Sequence, residues 1–372
     1  MKDLVLITGG GGFLGVCLSQ TLLESGYRVR ILDNLSEGIH GAGAERPLNL
    51  PEEAEFIKGD IRNKDNALAA LSEVDIVIHL ASIEGIHASM FIPGDYIDNN
   101  TRGASVLIEL LARKPVKKLI VASSMAVYGE GLYIDRQGRP VQDAKRSTSN
   151  LAEGIWNIMD YGEDELKPVA TPETKSVNPV SVYGLSKYNQ EKLCMLGGDT
   201  FGFPVTVLRF FNIYGPGQSL SNPGGDVLAK FGARLLNNVA PLLFEDGFQL
   251  RDFIHVSDAA RACLLAMETL EADHQIFNIG SGEPCAIREV ALKLALIMAK
   301  NRIQPKVSRK YRIGDVRNCF ADIGKARKLL NFHPTVDLHD GMLEMAEWLK
   351  SQVGSFVYRE HQFETPSFDS FQ

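Results

Sequence analysis

The first 125 or so residues alternate short apolar runs with longer segments in which apolar residues recur at helical spacing. Short runs that are apolar throughout, without polar alternation, are typical of strands buried on both faces of a parallel sheet. The sequence predicts such strands at Leu4–Ile7, Arg28–Leu32, Asp75–His79 and Lys117–Ala122. It predicts helices between them at Phe13–Ser25, Asn63–Ser72 and Asp95–Arg113. Repeated strand–helix–strand units indicate an α/β fold with a Rossmann-type, doubly wound parallel sheet.

The pattern changes after residue 128, where glycine, proline, serine, asparagine and mixed charges replace the periodic segments. We interpret residues 129–179 as a long inserted connection without clear elements, a kind of segment that is usually functional or flexible. A helix is predicted at Val180–Met195 and a strand at Val205–Leu208. Beyond Asn212 the sequence predicts mixed elements, which are helices at Asp226–Asn237, Ile287–Ala299 and Gly341–Ser351 and a strand at Gln275–Ile279.

These elements predict two lobes and a tail. We expect a large domain over residues 1–211, interrupted by the insertion 129–179, and a smaller C-terminal α/β lobe over residues 212–350. Residues of about 250–265 are expected to return to the large domain. We interpret residues 352–372 as a polar tail with scattered aromatic side chains.

Charge and cysteine content exclude several classes of protein. A formal net charge of −7 over 372 residues argues against non-specific nucleic-acid binding, which needs a basic surface. The first apolar run is too short for a signal peptide and no stretch is long enough to cross a bilayer, so we expect a cytoplasmic protein outside the membrane. The five cysteines form no close pair and the eight histidines show no ligand spacing, so we predict reduced thiols and no metal site.

A glycine-rich segment connects the first predicted strand to the first predicted helix. Residues 8–15 have the sequence Thr-Gly-Gly-Gly-Gly-Phe-Leu-Gly, which permits a tight turn and binding of a pyrophosphate by the N–H groups at the helix start. The segment satisfies two glycine spacings at once, so the loop alone does not choose between dehydrogenase superfamilies. Asp33 ends the second strand, where a carboxylate binds the adenosine ribose hydroxyls and repels a 2′-phosphate. Together they favour NAD over NADP as the cofactor.

Tyr183 and Lys187 are four residues apart at the start of a predicted helix and therefore lie on one face of it. A tyrosine with its ordinary pKa of about 10 is a poor base, but a nearby ammonium and a positive nicotinamide ring favour the phenolate. Ser124 ends the preceding strand, and ligands of such sheets bind beyond the carboxyl ends of strands. We interpret Ser124, Tyr183 and Lys187 as a catalytic set; simple capping of the turn is the alternative for Ser123 and Ser124.

Motifs from Lys2 to about Lys350 resemble those of the extended short-chain dehydrogenases/reductases of the NAD-dependent epimerase/dehydratase family. Besides the glycine loop and Tyr183…Lys187, the segments that carry the resemblance are Gly59–Arg62, His79–Ser82, Asn100–Gly103, Ser123–Gly129, Leu208–Pro216, Arg251–Val256 and Phe277–Gly280. The resemblance implies an NAD-binding Rossmann domain, a C-terminal lobe that binds a nucleotide-diphosphate sugar, and a homodimer formed by the helices Asp95–Arg113 and Val180–Met195. The first of these helices carries an apolar stripe that either serves the dimer or faces the sheet, made of Val106, Leu107, Leu110 and Leu111.

The resemblance also implies which residues contact each ligand. The implied cofactor-binding residues are Gly9, Gly12, Phe13, Leu14, Gly15, Asp33, Asn34, Asp60, Ile61, Leu80, Ala81, Ser82, Asn100, Ser123, Tyr183, Lys187 and Phe211. The implied substrate-binding residues are Ser82, Ser124, Met125, Asn212, Val227, Arg251, Arg312 and Asp315. In this set Arg251 and Arg312 hold the nucleotide diphosphate and Asp315 binds a ribose. Surface salt bridges are the alternative for these three residues.

The residues after Ser124 bear on the reaction. Dehydratases of the family carry an Asp-Glu pair there, whereas this chain has Met125 and Ala126, which cannot transfer protons. The resemblance therefore implies a 4-epimerase, which inverts carbon 4 of the sugar by transient oxidation with tightly bound NAD. Segments 79–90 and 123–131 resemble those of enzymes that convert dTDP-L-rhamnose to dTDP-6-deoxy-L-talose, although Asn222–Asp226 replaces an expected tyrosine-containing loop. The alternatives are a UDP-hexose or UDP-uronate 4-epimerase, an NADH-dependent nucleotide-ketosugar reductase, and a catalytically silent binding protein.

Overall fold

The apolar runs in the first half of the chain form the central strands of one large sheet in the computed structural model. The structure describes residues 2–47, 49–162, 164–218, 227–312 and 314–352. The strands in these ranges are β1 Leu4–Thr8, β2 Arg28–Asp33, β3 Glu55–Lys58, β4 Ile76–His79, β5 Lys118–Ser124, β6 Leu132–Ile134, β7 Pro140–Val141, β8 Lys167–Val169, β9 Val205–Phe210, β10 Asn212–Tyr214, β11 Leu242–Leu243, β12 Leu250–His255, β13 Gln275–Ile279, β14 Pro284–Ala286, β15 Lys306–Val307 and β16 Asn318–Cys319.

Helices follow most of the strands. In the same ranges they are α1 Phe13–Glu24, α2 Glu37–His40, α3 Lys64–Ala70, α4 Ile86–Ser89, α5 Pro93–Tyr96, α6 Gly103–Leu111, α7 Thr148–Ala152, α8 Val182–Phe201, α9 Val227–Leu236, α10 Val256–Glu268, α11 Ile287–Ile297, α12 Gly324–Leu330 and α13 Leu338–Ser351. A π-helical turn at Ile97–Arg102 joins α5 to α6. The predicted helix Asp95–Arg113 is therefore one helical segment that contains a π turn.

The large sheet is parallel throughout, with the strand order β13-β9-β5-β4-β1-β2-β3. β3 has no counterpart in the sequence prediction, because this edge strand has only exposed or half-buried side chains and therefore lacks an apolar run. The strand order reverses between β1 and β4. Ligands of doubly wound sheets bind in the crevice at the carboxyl ends of the strands at such a point.

Helices cover both faces of this sheet, which confirms the predicted fold class. Val5 and Ile7 of β1 belong to a core cluster with α1, α10 and α12, whereas Leu4 and Leu6 belong to a second cluster with α3, α6 and α8. The apolar stripe of α6 faces the sheet within this second cluster, and its four members are all buried; they are Val106, Leu107, Leu110 and Leu111. Of the two interpretations of the stripe, the structure therefore supports packing against the sheet.

Helix α8 is longer than the sequence predicts and ends at Phe201. Gly197 and Gly198 lie within the helix near its end, and both allow neighbouring elements to approach closely. A Cβ on Gly197 would lie 2.6 Å from Ile108 of α6, and a Cβ on Gly198 would lie 2.4 Å from Val205 of β9. The C-terminal half of α8 is thereby held against both α6 and the sheet.

A second sheet joins β10, β12, β14 and β16, and α9, α11 and α13 pack in a separate apolar cluster beside it. This assembly is the smaller C-terminal α/β lobe of the predicted fold class. Within the range 212–350 the chain also returns to the large sheet, with α10 packed on α1 and β13 paired with β9.

The insertion 129–179 contains regular elements, so the expectation of a connection without them is wrong. Strands β6, β7 and β8 form an antiparallel sheet around a small core of Tyr133, Ala144, Ile158 and Leu166. Each strand has only two or three residues, which is too short to produce a periodic pattern in the sequence. The segment Asn222–Asp226 and the tail beyond Gln352 lie outside the described residues.

Candidate active site

The turn between β1 and α1 lies at the centre of the crevice. Gly9 has a φ of +71°, and a Cβ at this position would lie 2.6 Å from the backbone of Ala81. Only glycine therefore allows the turn to pass so close to the end of β4. A Cβ on Gly12, which precedes α1, would meet only the Gly9 oxygen, at 3.4 Å, so the space in front of the helix is open. The N–H groups at this helix start suit the pyrophosphate of a dinucleotide.

The carboxyl end of β2 carries the acidic group that the sequence predicts beside the adenosine ribose. Asp33 accepts the N–H of Gly11 at 2.9 Å with one oxygen and the N–H of Leu35 at 2.8 Å with the other. Nearby, Asp60 accepts hydrogen bonds from Asn34 and from the guanidinium of Arg62, and the Arg62 contact lowers the pKa of Asp60 to about 2. This end of the crevice therefore presents negative charge, which suits ribose hydroxyls.

Ser124 interacts with the Tyr183 hydroxyl at the carboxyl end of β5, and this interaction lowers the pKa of Tyr183 against the effect of burial. The Ser124 hydroxyl also caps the short turn that follows it by accepting the N–H of Ala126 at 3.2 Å. Helix α8 approaches this turn closely because residue 184 is glycine; a Cβ on Gly184 would lie 2.4 Å from the Ala126 carbonyl oxygen. Lys187 is buried one helical turn after Tyr183. The fold thus brings the three predicted catalytic residues together.

Burial governs the protonation of this set. It raises the pKa of the Tyr183 hydroxyl well above its ordinary value; the charge of Glu84 raises that pKa further, and the Ser124 hydrogen bond lowers it. Burial also lowers the pKa of Lys187 to about 8, against the opposing effect of the Glu84 and Glu191 charges. A phenolate at Tyr183 therefore needs additional positive charge in the cavity, of the kind an oxidised nicotinamide ring carries.

A buried histidine supports the end of β4. The amide of Gln190 donates to His79 Nε2 at 3.1 Å, so the other ring nitrogen carries the proton and donates to Thr8 Oγ1 at 2.7 Å. Burial, with a contribution from the Lys187 charge, lowers the pKa of His79 to about 3. The neutral ring therefore joins α8 to β1 and β4 without adding charge to the site.

A buried ion pair supports the catalytic helix from the other side. Glu191, one turn beyond Lys187, accepts hydrogen bonds from the Ser123 hydroxyl and from Arg209 Nε and Nη2, the last two at 2.8 and 2.7 Å. The pair links α8 to β5 and β9. The Ser123 hydroxyl is therefore engaged by Glu191, a residue for which the sequence carries no recognisable signal.

A continuous cavity of about 1980 Å³ connects these groups. Small-molecule sites usually enclose roughly 300–1,000 Å³, so this cavity has room for a dinucleotide and a second ligand together. The predicted site residues that line it are Gly9, Gly12, Phe13, Leu14, Gly15, Asp33, Asn34, Asp60, Ile61, Leu80, Ala81, Ser82, Ser123, Ser124, Met125, Tyr183, Lys187, Phe211, Asn212, Val227, Arg251, Arg312 and Asp315.

Asn100 is the predicted site residue that does not line the cavity. Its side-chain oxygen accepts the N–H of Ile83 at 2.7 Å, and its amide nitrogen donates to Ser186 Oγ at 2.9 Å. Both contacts are to protein groups, so Asn100 holds the loop after β4 against α8. Its implied contact with the cofactor stays a prediction.

The far end of the cavity is lined by the C-terminal lobe. Arg251 Nη2 donates to Asp315 Oδ1 at 3.0 Å and to the carbonyl of Val316 at 2.6 Å. Arg312 lies 3.5 Å from the other Asp315 oxygen, and its guanidinium lies 4.1 Å from the centre of the Phe244 ring. Arg251, Asp315 and Arg312 therefore form an ion-pair cluster, as in the salt-bridge alternative, and this cluster is part of the cavity wall.

Several lining residues are not among the site residues predicted from the sequence. Those with charged, aromatic or amide side chains include Glu84, His87, Lys230, Arg234, Phe244 and Gln249. Glu84 lies in the loop after β4, where its carbonyl accepts the Tyr96 hydroxyl at 2.7 Å; the Tyr96 ring in turn packs edge-on against Tyr183. These residues reach the cavity because of how loops and lobes pack, which leaves no local sequence signal.

Within the described ranges, no group of three or more His, Cys, Asp or Glu side chains is arranged to hold a metal ion. None of the helices in those ranges is long and apolar enough to cross a membrane. The five cysteines have free thiols.

Comparison with known proteins relates this site to enzymes of sugar metabolism. A sequence model of the NAD dependent epimerase/dehydratase family matches residues 5–150 and 160–280. The chain is 31% identical to a dTDP-L-rhamnose 4-epimerase from Burkholderia thailandensis, over 94% of this chain and 95% of that protein.

Two solved structures share the fold. One is the UDP-glucose 4-epimerase from Thermotoga maritima with UDP-glucose, with a TM-score of 0.77 and 29% identity, covering 94% of this chain and 99% of that chain. The other is the UDP-glucuronic acid 4-epimerase from Bacillus cereus in complex with UDP-glucuronic acid and NAD, with a TM-score of 0.77, 28% identity and the same coverage.

Proposed function

The chain belongs to the NAD-dependent epimerase/dehydratase family, and from that membership we propose that it inverts carbon 4 of dTDP-L-rhamnose to give dTDP-6-deoxy-L-talose. The relative and the two solved structures described above are nucleotide-sugar epimerases, and the chain is an enzyme of this kind. The observation that carries the proposal is the Ser124–Tyr183–Lys187 set, with Met125 and Ala126 directly after the serine.

The cofactor prediction is confirmed at the level of the family, which is NAD-dependent and includes a neighbour solved with NAD. The residues of this chain fit the group, because the open helix start after Gly12 suits the pyrophosphate and Asp33 suits the adenosine ribose. When bound, NAD supplies a reversible acceptor and donor of hydride.

We propose that Tyr183 is the proton-transfer group of the reaction. Its hydroxyl oxygen removes the proton from the 4-hydroxyl of the sugar as carbon 4 is oxidised, and returns it when carbon 4 is reduced from the opposite face. Ser124, which interacts with the Tyr183 hydroxyl, donates to the same sugar oxygen. The positive charge of protonated Lys187 stabilises the Tyr183 phenolate. The net reaction consumes no reductant or oxidant, since the hydride is taken and given back in one turnover.

Met125 and Ala126 support epimerisation rather than dehydration. Dehydration needs an acid and a base at the neighbouring carbons of the sugar. Both side chains are buried and apolar and cannot transfer protons. We therefore propose that the oxidised sugar has one productive fate in this site, which is reduction.

The substrate assignment depends on similarity to the dTDP-L-rhamnose 4-epimerase. The similarity to UDP-glucose and UDP-glucuronic acid 4-epimerases supports a second candidate, a UDP-hexose or UDP-uronate 4-epimerase. Both candidates place a nucleotide diphosphate against Arg251 and Arg312, where guanidinium groups suit phosphate oxygens.

A substrate panel tests the proposal. The purified protein is denatured to identify its bound nicotinamide, and the native protein is incubated with dTDP-L-rhamnose, UDP-glucose and UDP-glucuronic acid without added cofactor. Appearance of dTDP-6-deoxy-L-talose by NMR supports the primary assignment, and epimerisation of a UDP-sugar alone supports the second. Net consumption of NADH with a ketosugar would instead identify a reductase and overturn both.

The role of Tyr183 is tested by the Tyr183→Phe variant. It is expected to lose turnover by about 100-fold or more, the size of a general-base contribution, while retaining bound NAD. Full activity of this variant contradicts the proposed mechanism.

We also propose that the protein is a homodimer whose contact is the outer face of the helical pair α6 and α8. The buried stripe of α6 is not available for this contact, but Leu185 and Leu196 of α8 are 43% and 62% exposed. These leucines are 11 residues apart, about three helical turns, and therefore lie on the same face of α8. Large apolar side chains exposed along one helix face are typical of subunit interfaces.

A further inference from the structure

A buried ion-pair cluster connects the insertion 129–179 to the C-terminal lobe. Arg146 Nη1 lies 2.7 Å from Glu245 Oε1, and the two side chains are 8% and 1% exposed. Arg317 Nη1 lies 3.1 Å from the other Glu245 oxygen. Arg317 Nε donates to Asn157 at 2.9 Å, which gives the insertion a second contact with the same cluster.

Glu245 is in an unusual backbone conformation. Its φ of +55° lies in the left-handed region, which residues with a Cβ adopt at an energetic cost. Such a conformation persists where the surroundings over-determine it, and is often associated with a functional site. Here the surroundings are the two guanidinium groups and a backbone hydrogen bond from Glu245 N to the carbonyl of Lys310 at 2.8 Å.

The residues on either side of these contacts line the nucleotide end of the cavity. Phe244 directly precedes Glu245, and the carbonyl of Phe244 accepts the Gln249 amide at 3.1 Å. Arg312 follows Lys310 by two residues and lies over the Phe244 ring. The backbone conformation of Glu245 therefore orients the Phe244 ring, and its hydrogen bond to Lys310 positions the segment that carries the Arg312 guanidinium over that ring.

We propose that Arg146 is a positioning residue for the nucleotide of the substrate, acting through Glu245 on Phe244 and Arg312. The inserted subdomain is thus part of the substrate site although Arg146 itself does not line the cavity. The inference rests on the proposed function in one respect, that a nucleoside diphosphate occupies this end.

The chemistry of Arg146 supports this role. Among the described residues, no acceptor reaches its buried Nε and Nη2 atoms, so the cation depends on the Glu245 contact. Removal of Glu245 leaves the buried Arg146 guanidinium without its carboxylate partner, and removal of Arg146 leaves Glu245 paired with Arg317 alone; either change is costly to the local structure. The contact is therefore expected to keep one geometry rather than to fluctuate.

The test compares binding of TDP and UDP to the full-length holoenzyme by isothermal titration calorimetry. Arg146→Met is expected to raise the Kd for the nucleoside diphosphate about tenfold, as for coupling through a packed network. Bound NAD and kcat at saturating substrate are expected to stay within about twofold, because Ser124 and Tyr183 are not in the cluster. Arg146→Lys, which keeps a cation for one carboxylate oxygen, is expected to recover most of the affinity.

Arg136→Met is the matched control, since it removes an exposed ion pair with Asp164 in the same insertion. Its Kd is expected to equal that of the wild type. Should Arg146→Met not fold, Glu245→Gln decides, because it removes the negative charge that Arg146 and Arg317 share while keeping the size of the side chain. Equal Kd values for these variants and the wild type overturn the inference. Failure of the proposed function is distinguishable, since the wild type would then bind neither TDP nor UDP.

Discussion

Gly184 is the residue through which α8 approaches the turn after β5. In Gly184→Ala the new Cβ would lie 2.4 Å from the Ala126 carbonyl oxygen, whereas ordinary contacts begin at about 3.4 Å. The oxygen belongs to the backbone of a turn that Ser124 caps, so the start of α8 must move by about 1 Å. A displacement of about 1 Å between reacting groups lowers a rate by about 100-fold. We therefore expect Gly184→Ala to lose about that factor in kcat.

The assay is the initial rate of epimerisation at saturating nucleotide sugar, with the thermal midpoint measured beside it. Alanine is the better helix former by about 1 kcal/mol, so lost activity together with an unchanged or higher midpoint would separate misalignment from unfolding. Gly94→Ala is the matched control, because a Cβ on this helical glycine meets nothing within 4 Å. A Gly184→Ala enzyme with kcat within about threefold of the wild type would refute the argument that this close approach aligns Tyr183.

Lys187→Met tests the buried ammonium group. Burial lowers the pKa of Lys187 from 10.5 to about 8, so between pH 8 and pH 10.5 the unfolded chain binds more protons than the folded protein. The free energy of unfolding of the wild type therefore rises with pH in this range. The midpoint difference between wild type and variant, followed by scanning fluorimetry, is expected to grow in favour of the wild type from pH 8 to pH 10.5; a constant difference contradicts this assignment. Asn100→Ala leaves the Ile83 N–H and the Ser186 hydroxyl without this partner and is expected to lower the free energy of unfolding by about 1–3 kcal/mol in urea titrations. Asn99→Ala, at the neighbouring half-buried position, is its control, and equal losses in the two variants would refute the anchoring role. Leu196→Glu is expected to convert the dimer to a monomer by light scattering, whereas Leu296→Glu, equally exposed on α11, is expected to leave it intact; a monomeric wild type would rule out the proposed interface.

The sequence predicted those parts of the fold that depend on local pattern. The buried strands β1, β2, β4 and β5 are short segments rich in Val, Ile and Leu, so their positions and their parallel class could be predicted from the local sequence. The local hydrophobic pattern does not indicate β3 or the strands of the insertion 129–179. An edge strand and strands of two or three residues bury too little apolar surface to leave a pattern.

The candidate site residues also differ in whether the local sequence alone reveals them. The glycine loop and the Tyr183–Lys187 pair are recognisable because a turn and a single helical turn each fit within a few residues. Glu191 and Asn100 act through contacts with Arg209, Ile83 and Ser186, and nothing in their own segments indicates those partners.

Local sequence pattern was therefore sufficient to predict the parallel sheet, to locate the glycine-rich loop and to name candidate groups for proton transfer. The tertiary structure was needed to show which distant residues meet: Arg251 pairs with Asp315, Phe244 lies under Arg312, and Arg146 reaches Glu245. The physical reason is the range of the interactions. Backbone turns and buried runs are set by neighbouring residues, whereas a buried ion pair depends on where two distant segments of the chain meet once both lobes have packed.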